Sequence, residues 1–209
     1  IIEVDSEPIE SVGKSNVYEN IHVSKASLFK FRIPELFEDY DRILYLDGDL
    51  VVKKGLSEFF NRDISEVYAA VVKDMIPMLA QWTKHTNLLK INHSSYFSSG
   101  VMLLNLDKMR KDRITEKLIE YRKNGINYLM DQDAFNVVFS ENVIYADYSY
   151  NLTYTSYVTF PYKHLKDFYN FEYKNKDEIL EEAAIIHFCG KKKPWMQEGT
   201  QASEIWEEY

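Results

Sequence analysis

Short apolar runs separated by polar segments account for most of the hydrophobic pattern of this chain. Five of these runs predict buried strands: RILYLDGDLVV (42–52), VYAAVV (67–72), YFSSGVMLLNL (96–106), VIYA (143–146) and AAIIHF (183–188). The first run is interrupted by two acids, and the second leads to Asp74. The third contains Gly100, a position at which another backbone or a ligand can approach closely.

Apolar residues at helical spacing predict three helices along the same chain. The first runs from Ser24 to Phe37, although Pro34 disturbs its last turn. The second is capped by Asp107 and closed by Gly125. The third covers 131–140, DQDAFNVVFS, and opens with acids that suit the helix dipole. Strands alternating with helices predict an α/β sheet covered on both faces, in one domain over residues 1–209.

Charge and cysteine content narrow the partners and the compartment. The formal net charge of −8 argues against a nucleic-acid partner, and an anionic substrate would need a bound cation or a few local bases. The single cysteine, Cys189, excludes an intramolecular disulfide and suits a reducing compartment. We therefore expect a cytoplasmic protein, and peripheral attachment to the inner face of the membrane stays open, as does the oligomeric state.

Aromatic residues are unusually frequent, with 16 Tyr and 12 Phe, and many of them lie between Tyr145 and Tyr173. One interpretation is aromatic packing within strands or loops. The other is a platform on which sugar rings stack, because tyrosine offers an apolar face together with a hydroxyl.

Two polar clusters that follow predicted strands carry the candidate chemistry. Asp47 and Asp49, separated by one glycine, can converge on one point, and their mutual repulsion calls for a cation such as Mg²⁺ or Mn²⁺. His187 follows another strand, and an imidazole beside carboxylates favours Mn²⁺. Gly190 and the lysines after it suit a diphosphate. The alternatives are a polar turn, a structural histidine and a solvated lysine loop.

Four ordered motifs, LYLDGDLVV, YFSSGVMLLNL, DQDAFN and HFCGKKKPW, make the chain similar to glycosyltransferase family eight, the retaining enzymes of the galactosyltransferase and glycogenin type. The resemblance extends from about His22 to Trp195. It implies a GT-A-type, Rossmann-like mixed sheet with helices on both faces. It also implies transfer of glucose or galactose from a UDP-sugar to a hydroxyl of a saccharide or glycan, with retention of the anomeric configuration.

The resemblance also implies roles for individual residues. The metal ligands would be Asp47, Asp49 and His187, with Mn²⁺ as the cofactor and Mg²⁺ as a second option. The residues at the donor would be Gly190 and Lys193 on the diphosphate, Asp74 on sugar hydroxyls, Lys30 where the family has arginine, and Asp131 and Gln132 beside the sugar, Gln132 nearer the reacting face. Because no carboxylate is an obvious nucleophile, we expect same-face attack rather than a covalent intermediate.

Three departures from the family pattern affect this interpretation. Ser98 replaces an asparagine that touches the donor sugar, and Lys30 keeps the charge of arginine but loses its planar fork. The strand–turn–helix unit with which family members begin, and which contacts the nucleoside, has no counterpart from Ile1 onward. We therefore expect an N-terminally incomplete fold with an incomplete nucleotide pocket and an unpaired strand edge.

Two other functions stay open at this point. A haloacid-dehalogenase-like phosphatase also places D-x-D after an apolar strand, and Val51 partly fits its pattern, but HFCGKKKPW stands where that family has paired acids. A non-catalytic sugar- or nucleotide-binding relic is the second alternative, suggested by Ser98 and by the missing first unit.

Overall fold

The computed structural model describes residues 25–126, 128–190, 193–196 and 198–209. The predictions about the first 24 residues, including the incomplete N-terminal unit and its unpaired strand edge, lie outside the described residues and stay predictions. Within the described ranges, none of the helices is both long enough and apolar enough to cross a membrane.

Seven strands are present in the described part of the chain, and they form two mixed sheets. The strands are β1 (Arg42–Leu46), β2 (Leu50–Val52), β3 (Ala69–Lys73), β4 (Phe97–Asn105), β5 (Val143–Tyr145), β6 (Leu152–Thr153) and β7 (Ile185–His187). One sheet has the order β1-β4-β3-β5 and the other β2-β7-β6. Strand β4 runs antiparallel to β1 and β3, and β7 runs antiparallel to β2. The β3–β5 and β6–β7 pairs are parallel.

Helices surround these sheets. The α-helices are α1 (Ile33–Leu36), α2 (Ser57–Phe60), α3 (Ala80–Leu89), α4 (Leu106–Lys111), α5 (Ile114–Asn124), α6 (Met130–Phe139), α7 (Tyr154–Thr159), α8 (Tyr162–Tyr169), α9 (Lys176–Glu182) and α10 (Gln201–Glu208). The 3-10 helices are Lys25–Arg32, Ile76–Met78, His93–Ser95, Tyr148–Asn151 and Pro194–Met196. The predicted helix over 131–140 is confirmed as α6, displaced by one residue.

The four-stranded sheet is covered on both faces, as the apolar runs predict. Successive side chains of a strand point to opposite faces, and Val71 and Val72 of β3 accordingly enter different hydrophobic clusters. The cluster on one face contains Leu106, Met109, Leu118, Phe135 and Phe139, which come from α4, α5 and α6. The cluster on the other face joins this sheet to the three-stranded sheet. The observed architecture is therefore the predicted mixed sheet that is covered on both faces.

The prediction of one buried strand over 42–52 is wrong, because the chain changes sheets in the middle of that run. β1 pairs with β4, and the Asp47 N–H extends this pairing by donating to the Gly100 carbonyl over 2.8 Å. β2 pairs with β7, and the Asp49 carbonyl accepts from the Phe188 N–H over 2.9 Å. The two carboxylates thus lie at the crossing from one sheet to the other. β1 is only half-buried, since β4 is its one partner among the described strands.

The first predicted helix is mainly a 3-10 helix, Lys25–Arg32, which runs directly into the short α1. Pro34 is the second residue of α1 and does not disturb the end of a helix. Proline is tolerated in the first turn because the backbone N–H groups there have no helical partner. The expectation of one regular α-helix from Ser24 to Phe37 is therefore wrong.

The second predicted helix is divided into α4 and α5 at Arg113, whose φ of 54° is left-handed and stops the first helix. Its cap is Asn105 and not Asp107, because the Asn105 side chain accepts from the Lys108 N–H over 3.0 Å. Asp107 instead pairs with Lys111 across one turn of the surface. Gly125 ends α5 as predicted.

The aromatic segment between residues 145 and 173 packs into the core, but mostly as helices and not as strands or loops. The rings of Tyr148 and Tyr169 stack at 3.9 Å, and Tyr148 also stacks on Phe171. Tyr148 and Phe171 are 2% and 4% exposed, so these rings have no face left for a sugar. The core-packing interpretation is correct for them, and its strand-or-loop part is corrected by α7 and α8.

Candidate active site

Two carboxylates and one imidazole meet where the two sheets adjoin. One ligand atom from each of Asp47, Asp49 and His187 can be chosen so that all three lie within 4.8 Å of one another. His187 Nε2 lies 3.1 Å from Asp49 Oδ1 and 3.7 Å from Asp47 Oδ2. The expected convergence of these three side chains is confirmed, and their role as metal ligands stays a prediction.

The convergence follows from the strands that carry these residues. Asp47 follows β1, Asp49 precedes β2, and His187 ends β7, which pairs with β2. The buried His187 ring is oriented by Asn151, whose Oδ1 lies 3.1 Å from Nδ1. Nε2, the other ring nitrogen, faces the two carboxylates, and this is the nitrogen that could bind a metal ion.

Gly100 on β4 leaves the space in which this cluster fits. A Cβ at this position would lie 2.8 Å from both Asp47 Oδ2 and His187 Nδ1, and it would overlap the imidazole ring. The expected close approach at this glycine is therefore confirmed, and the approaching groups are side chains of the site itself.

Two lysines balance the negative charge of the cluster. The Lys193 ammonium pairs with Asp49 and also donates to the Phe188 carbonyl over 3.0 Å. Burial raises the pKa of Asp49, but the hydrogen bonds and charges of His187 and Lys193 outweigh it and hold that pKa well below the usual range. Asp49 is consequently a charged carboxylate.

Lys30 connects the Asp47–Asp49–His187 cluster to the second group of predicted residues. Its buried ammonium lies 3.0 Å from Asp47 Oδ1 and 2.9 Å from Asp131 Oδ2, and it donates to the Ser99 carbonyl over 3.3 Å. Burial lowers the pKa of Lys30, but Asp131 and Asp47 together raise it above its ordinary value. This lysine is therefore charged, and it fixes the two carboxylates relative to each other.

The second group forms at the start of α6. There Asp131 and Gln132 of the helix lie close to Asp74, which directly follows β3. Ser99 donates from its hydroxyl to Asp131 over 2.8 Å and from its backbone N–H to Gln132 Oε1 over 3.1 Å. The Gln132 amide donates to Asp74 Oδ2 over 3.0 Å. Burial raises the pKa of Asp74, against the hydrogen bonds from Ile76 and Gln132. Both ends of the Gln132 amide are thus fixed.

Ser98 and Gly190 lie next to residues of the site in the chain, Ser98 directly before Ser99 and Gly190 three residues after His187. The buried Ser98 hydroxyl accepts from the Gly100 N–H over 3.3 Å. Gly190 has a φ of 110°, which other residues rarely adopt, in the loop that follows β7. Burial raises the pKa of the neighbouring Cys189 thiol to about 12, so this cysteine is no nucleophile at neutral pH.

Sequence reasoning missed three residues that orient the site: Tyr45, Ser99 and Asn151. The Tyr45 hydroxyl donates to Asp47 Oδ1 over 2.7 Å. Its position two residues before Asp47, on the same side of the strand, is a signal that the period of a strand provides. Ser99 lies next to Ser98, which is one of the predicted residues. Asn151 lies 36 positions from His187, and no local sequence pattern connects the two.

The donor set of the cluster fits a divalent cation with hard ligands. Two carboxylates offer oxygen ligands, and one imidazole presents Nε2 to the same point. Bonds of about 2.1 Å to a shared ion bring ligand atoms to roughly 4 Å or less from one another, close to the observed limit of 4.8 Å.

A family model described as Glycosyl transferase family 8 matches residues 1–199. Together with the fold and the site, this match shows that the chain belongs to glycosyl transferase family 8. The phosphatase alternative is thereby set aside.

Relatives and solved structures agree with this assignment. General stress protein A of Bacillus subtilis is 30% identical over 203 residues, which are 93% of this chain and 65% of that protein. A lipopolysaccharide 1,2-glucosyltransferase of Escherichia coli is 31% identical over 204 residues, which are 96% of this chain and 57% of that protein. This chain thus spans less than two thirds of the length of either relative.

The fold is shared with the galactosyltransferase LgtC, whose crystal structure contains donor and acceptor sugar analogues. The TM-score is 0.79 at 24% sequence identity, and the likeness covers 98% of this chain and 72% of LgtC.

Proposed function

We propose that this chain carries the catalytic site of a retaining, metal-dependent hexosyltransferase. It would move glucose or galactose from a UDP-sugar to a hydroxyl of a saccharide or glycan. The observation that carries this proposal is the convergence of Asp47, Asp49 and His187, linked through Lys30 to Asp131. We further propose that the reaction takes place in the cytoplasm, because the single Cys189 suits a reducing compartment.

The relatives support the class of sugar. Their names include a lipopolysaccharide 1,2-glucosyltransferase and a lipopolysaccharide 1,3-galactosyltransferase of Salmonella typhimurium, which is 29% identical over 183 residues. Both names describe hexosyl transfer to a glycan. A non-catalytic relic is the alternative, and it predicts binding of a UDP-sugar without turnover.

In the proposed reaction, Asp47, Asp49 and His187 would hold a divalent cation, with Mn²⁺ favoured and Mg²⁺ as the second option. When bound, the cation supplies Lewis-acid stabilisation of the charge that develops on the leaving diphosphate. Lys193 is fixed beside Asp49, so its ammonium adds positive charge at the same place. Gly190 gives the loop after β7 the backbone freedom to approach the diphosphate.

The second group orients the sugar in this proposal. Lys30 and Ser99 hold Asp131, while the Ile76 N–H and Gln132 hold Asp74, so these carboxylates serve better to position hydroxyls than to attack carbon. Ser98 lies on β4 directly before Ser99.

Same-face attack accounts for retention with these residues. The acceptor oxygen bonds to the anomeric carbon, the bond to the diphosphate oxygen breaks on that same face, and the acceptor proton passes to the departing diphosphate. No side chain of the site has to form a covalent bond to the sugar.

Asp131→Asn and Gln132→Ala are expected to lower kcat about 10²-fold while donor KM changes by about threefold or less, because these groups face the sugar and not the diphosphate. Steady-state kinetics with a UDP-hexose measure both constants. Gln201→Ala, an exposed glutamine at the start of α10, is the matched control. Unchanged kcat with a raised KM would assign both residues to plain binding.

A further inference from the structure

A buried aspartate outside the predicted site lies just behind Asp131 and Gln132. Asp133 has no exposed surface and sits in the first turn of α6. Its Oδ2 accepts from the backbone N–H groups of Tyr128 and Leu129, over 2.6 and 2.8 Å. These two residues precede α6, and the N-cap residue Leu129 has no side chain that could cap the helix. Asp133 therefore fixes the direction in which α6 begins.

The other carboxylate oxygen of Asp133 is anchored to two further elements. The hydroxyl of the fully buried Tyr96 donates to Oδ1 over 2.6 Å, and His85 Nε2 on α3 lies 2.9 Å from the same oxygen. Burial, and then the charge of Asp133, raise the pKa of Tyr96 well above its ordinary value, so the hydroxyl keeps its proton. A carboxylate oxygen accepts hydrogen bonds, and in the tautomer that carries a proton on Nε2 the His85 ring donates to Oδ1.

These four donors decide what Asp133 can do. A carboxylate has about four lone-pair sites, and here two donors occupy each oxygen. No lone pair is left to attack an anomeric carbon or to accept a proton. Asp133, two residues from Asp131, is therefore better suited to anchoring α6 than to attacking a sugar.

The anchor ties α6 to the strand that borders the sugar. Tyr96 immediately precedes β4, and three residues further along Ser99 bonds to both Asp131 and Gln132. The beginning of α6 is thus hydrogen-bonded to Ser99 of β4 through Asp131 and Gln132, and to Tyr96, directly before β4, through Asp133. We propose that Asp133, through Tyr96, is a positioning residue that sets the placement of Asp131 and Gln132 for sugar transfer.

This inference rests on the proposed function, and its test uses the full-length protein. Asp133→Asn replaces an acceptor oxygen by a donor group, and Tyr96→Phe removes one hydrogen bond with little change of shape. The matched controls are Asp112→Asn and Tyr68→Phe, because the Tyr68 hydroxyl donates to Asp112 over 2.9 Å in a Tyr–Asp pair outside the site.

We expect kcat with a UDP-hexose to fall about 10²-fold in Asp133→Asn and about 10-fold in Tyr96→Phe, with donor KM within about threefold. The controls should stay within about twofold. In a Gln132→Ala background the effect of either site variant should be clearly smaller than in the wild-type background, since one of the two residues through which it acts is gone. A merely structural loss would lower kcat by the same factor in both backgrounds.

Wild-type kcat in Tyr96→Phe, or full multiplication of its effect with that of Gln132→Ala, would overturn the positioning role while leaving the proposed function intact. Tyr96→Phe keeps this test open if Asp133→Asn does not fold. Lack of turnover in the wild-type protein overturns the proposed function, and the positioning role with it.

Discussion

Asp49→Asn is expected to lower sugar-transfer turnover by about 10³-fold or more, about 4 kcal/mol in the activation free energy. Asp49 contacts both His187 and Lys193, and its low pKa makes it a full negative charge in the cluster. Asparagine keeps the shape but removes the charge and one of the two oxygens, so the cation loses a ligand that attracts it.

Steady-state turnover at saturating Mn²⁺, together with calorimetry of Mn²⁺ binding, measures this effect. Asp107→Asn makes the same substitution in a surface carboxylate that also pairs with a lysine, Lys111, and it should leave both quantities within about twofold. Turnover of Asp49→Asn within about tenfold of the wild type would show that Asp49 is no ligand of an essential metal.

Gly100→Ala is expected to lower turnover by about 10²–10³-fold, although it adds only one methyl group to a strand. The new Cβ would overlap the His187 ring and lie 2.8 Å from Asp47 Oδ2, so two groups of the cluster would have to move apart. Misplacement of about 1 Å at a reacting centre costs about 10²-fold. Overpacking in the buried strand should also lower the free energy of unfolding by about 1–3 kcal/mol.

Gly48→Ala supplies the matched control for this substitution. Gly48 lies between Asp47 and Asp49, yet a Cβ there would meet no atom within 4 Å. Mn²⁺ affinity and turnover should stay close to wild type, and only Gly100→Ala should lose both. Equal behaviour of the two variants would contradict the geometry of the cluster.

The sequence predicts which side chains meet at this site better than it predicts the arrangement of the strands that carry them. The carboxylates after an apolar run and the histidine after another place ligands at strand ends, where residues from different strands can meet. The apolar runs also predict strands that are buried on both faces, as β3 and β4 are. These features were predictable because they depend on residue type and on the period of two along a strand.

The change of sheets between Asp47 and Asp49 was not predictable, because it depends on pairing with β4 and β7, far along the chain. The bridge from Lys30 to Asp131 spans 101 positions, and nothing near either residue indicates it. The cap at Asn105 was missed for a local reason. Asn and Asp are both good N-caps, so residue type did not distinguish Asn105 from Asp107. The break at Arg113 is a left-handed backbone conformation, which an arginine in the sequence does not indicate.

Metal-dependent turnover of a UDP-sugar tests the central claim most directly. The full-length protein is stripped with a chelator, and hydrolysis and transfer are then measured with UDP-glucose and UDP-galactose, before and after Mn²⁺ is added back. The account predicts no turnover in chelator and recovery with Mn²⁺ in the wild type, but no recovery in Asp49→Asn. Full turnover in chelator would contradict the metal role of Asp47, Asp49 and His187. Binding of both donors without any turnover at saturating Mn²⁺ would contradict the enzyme itself and favour the relic.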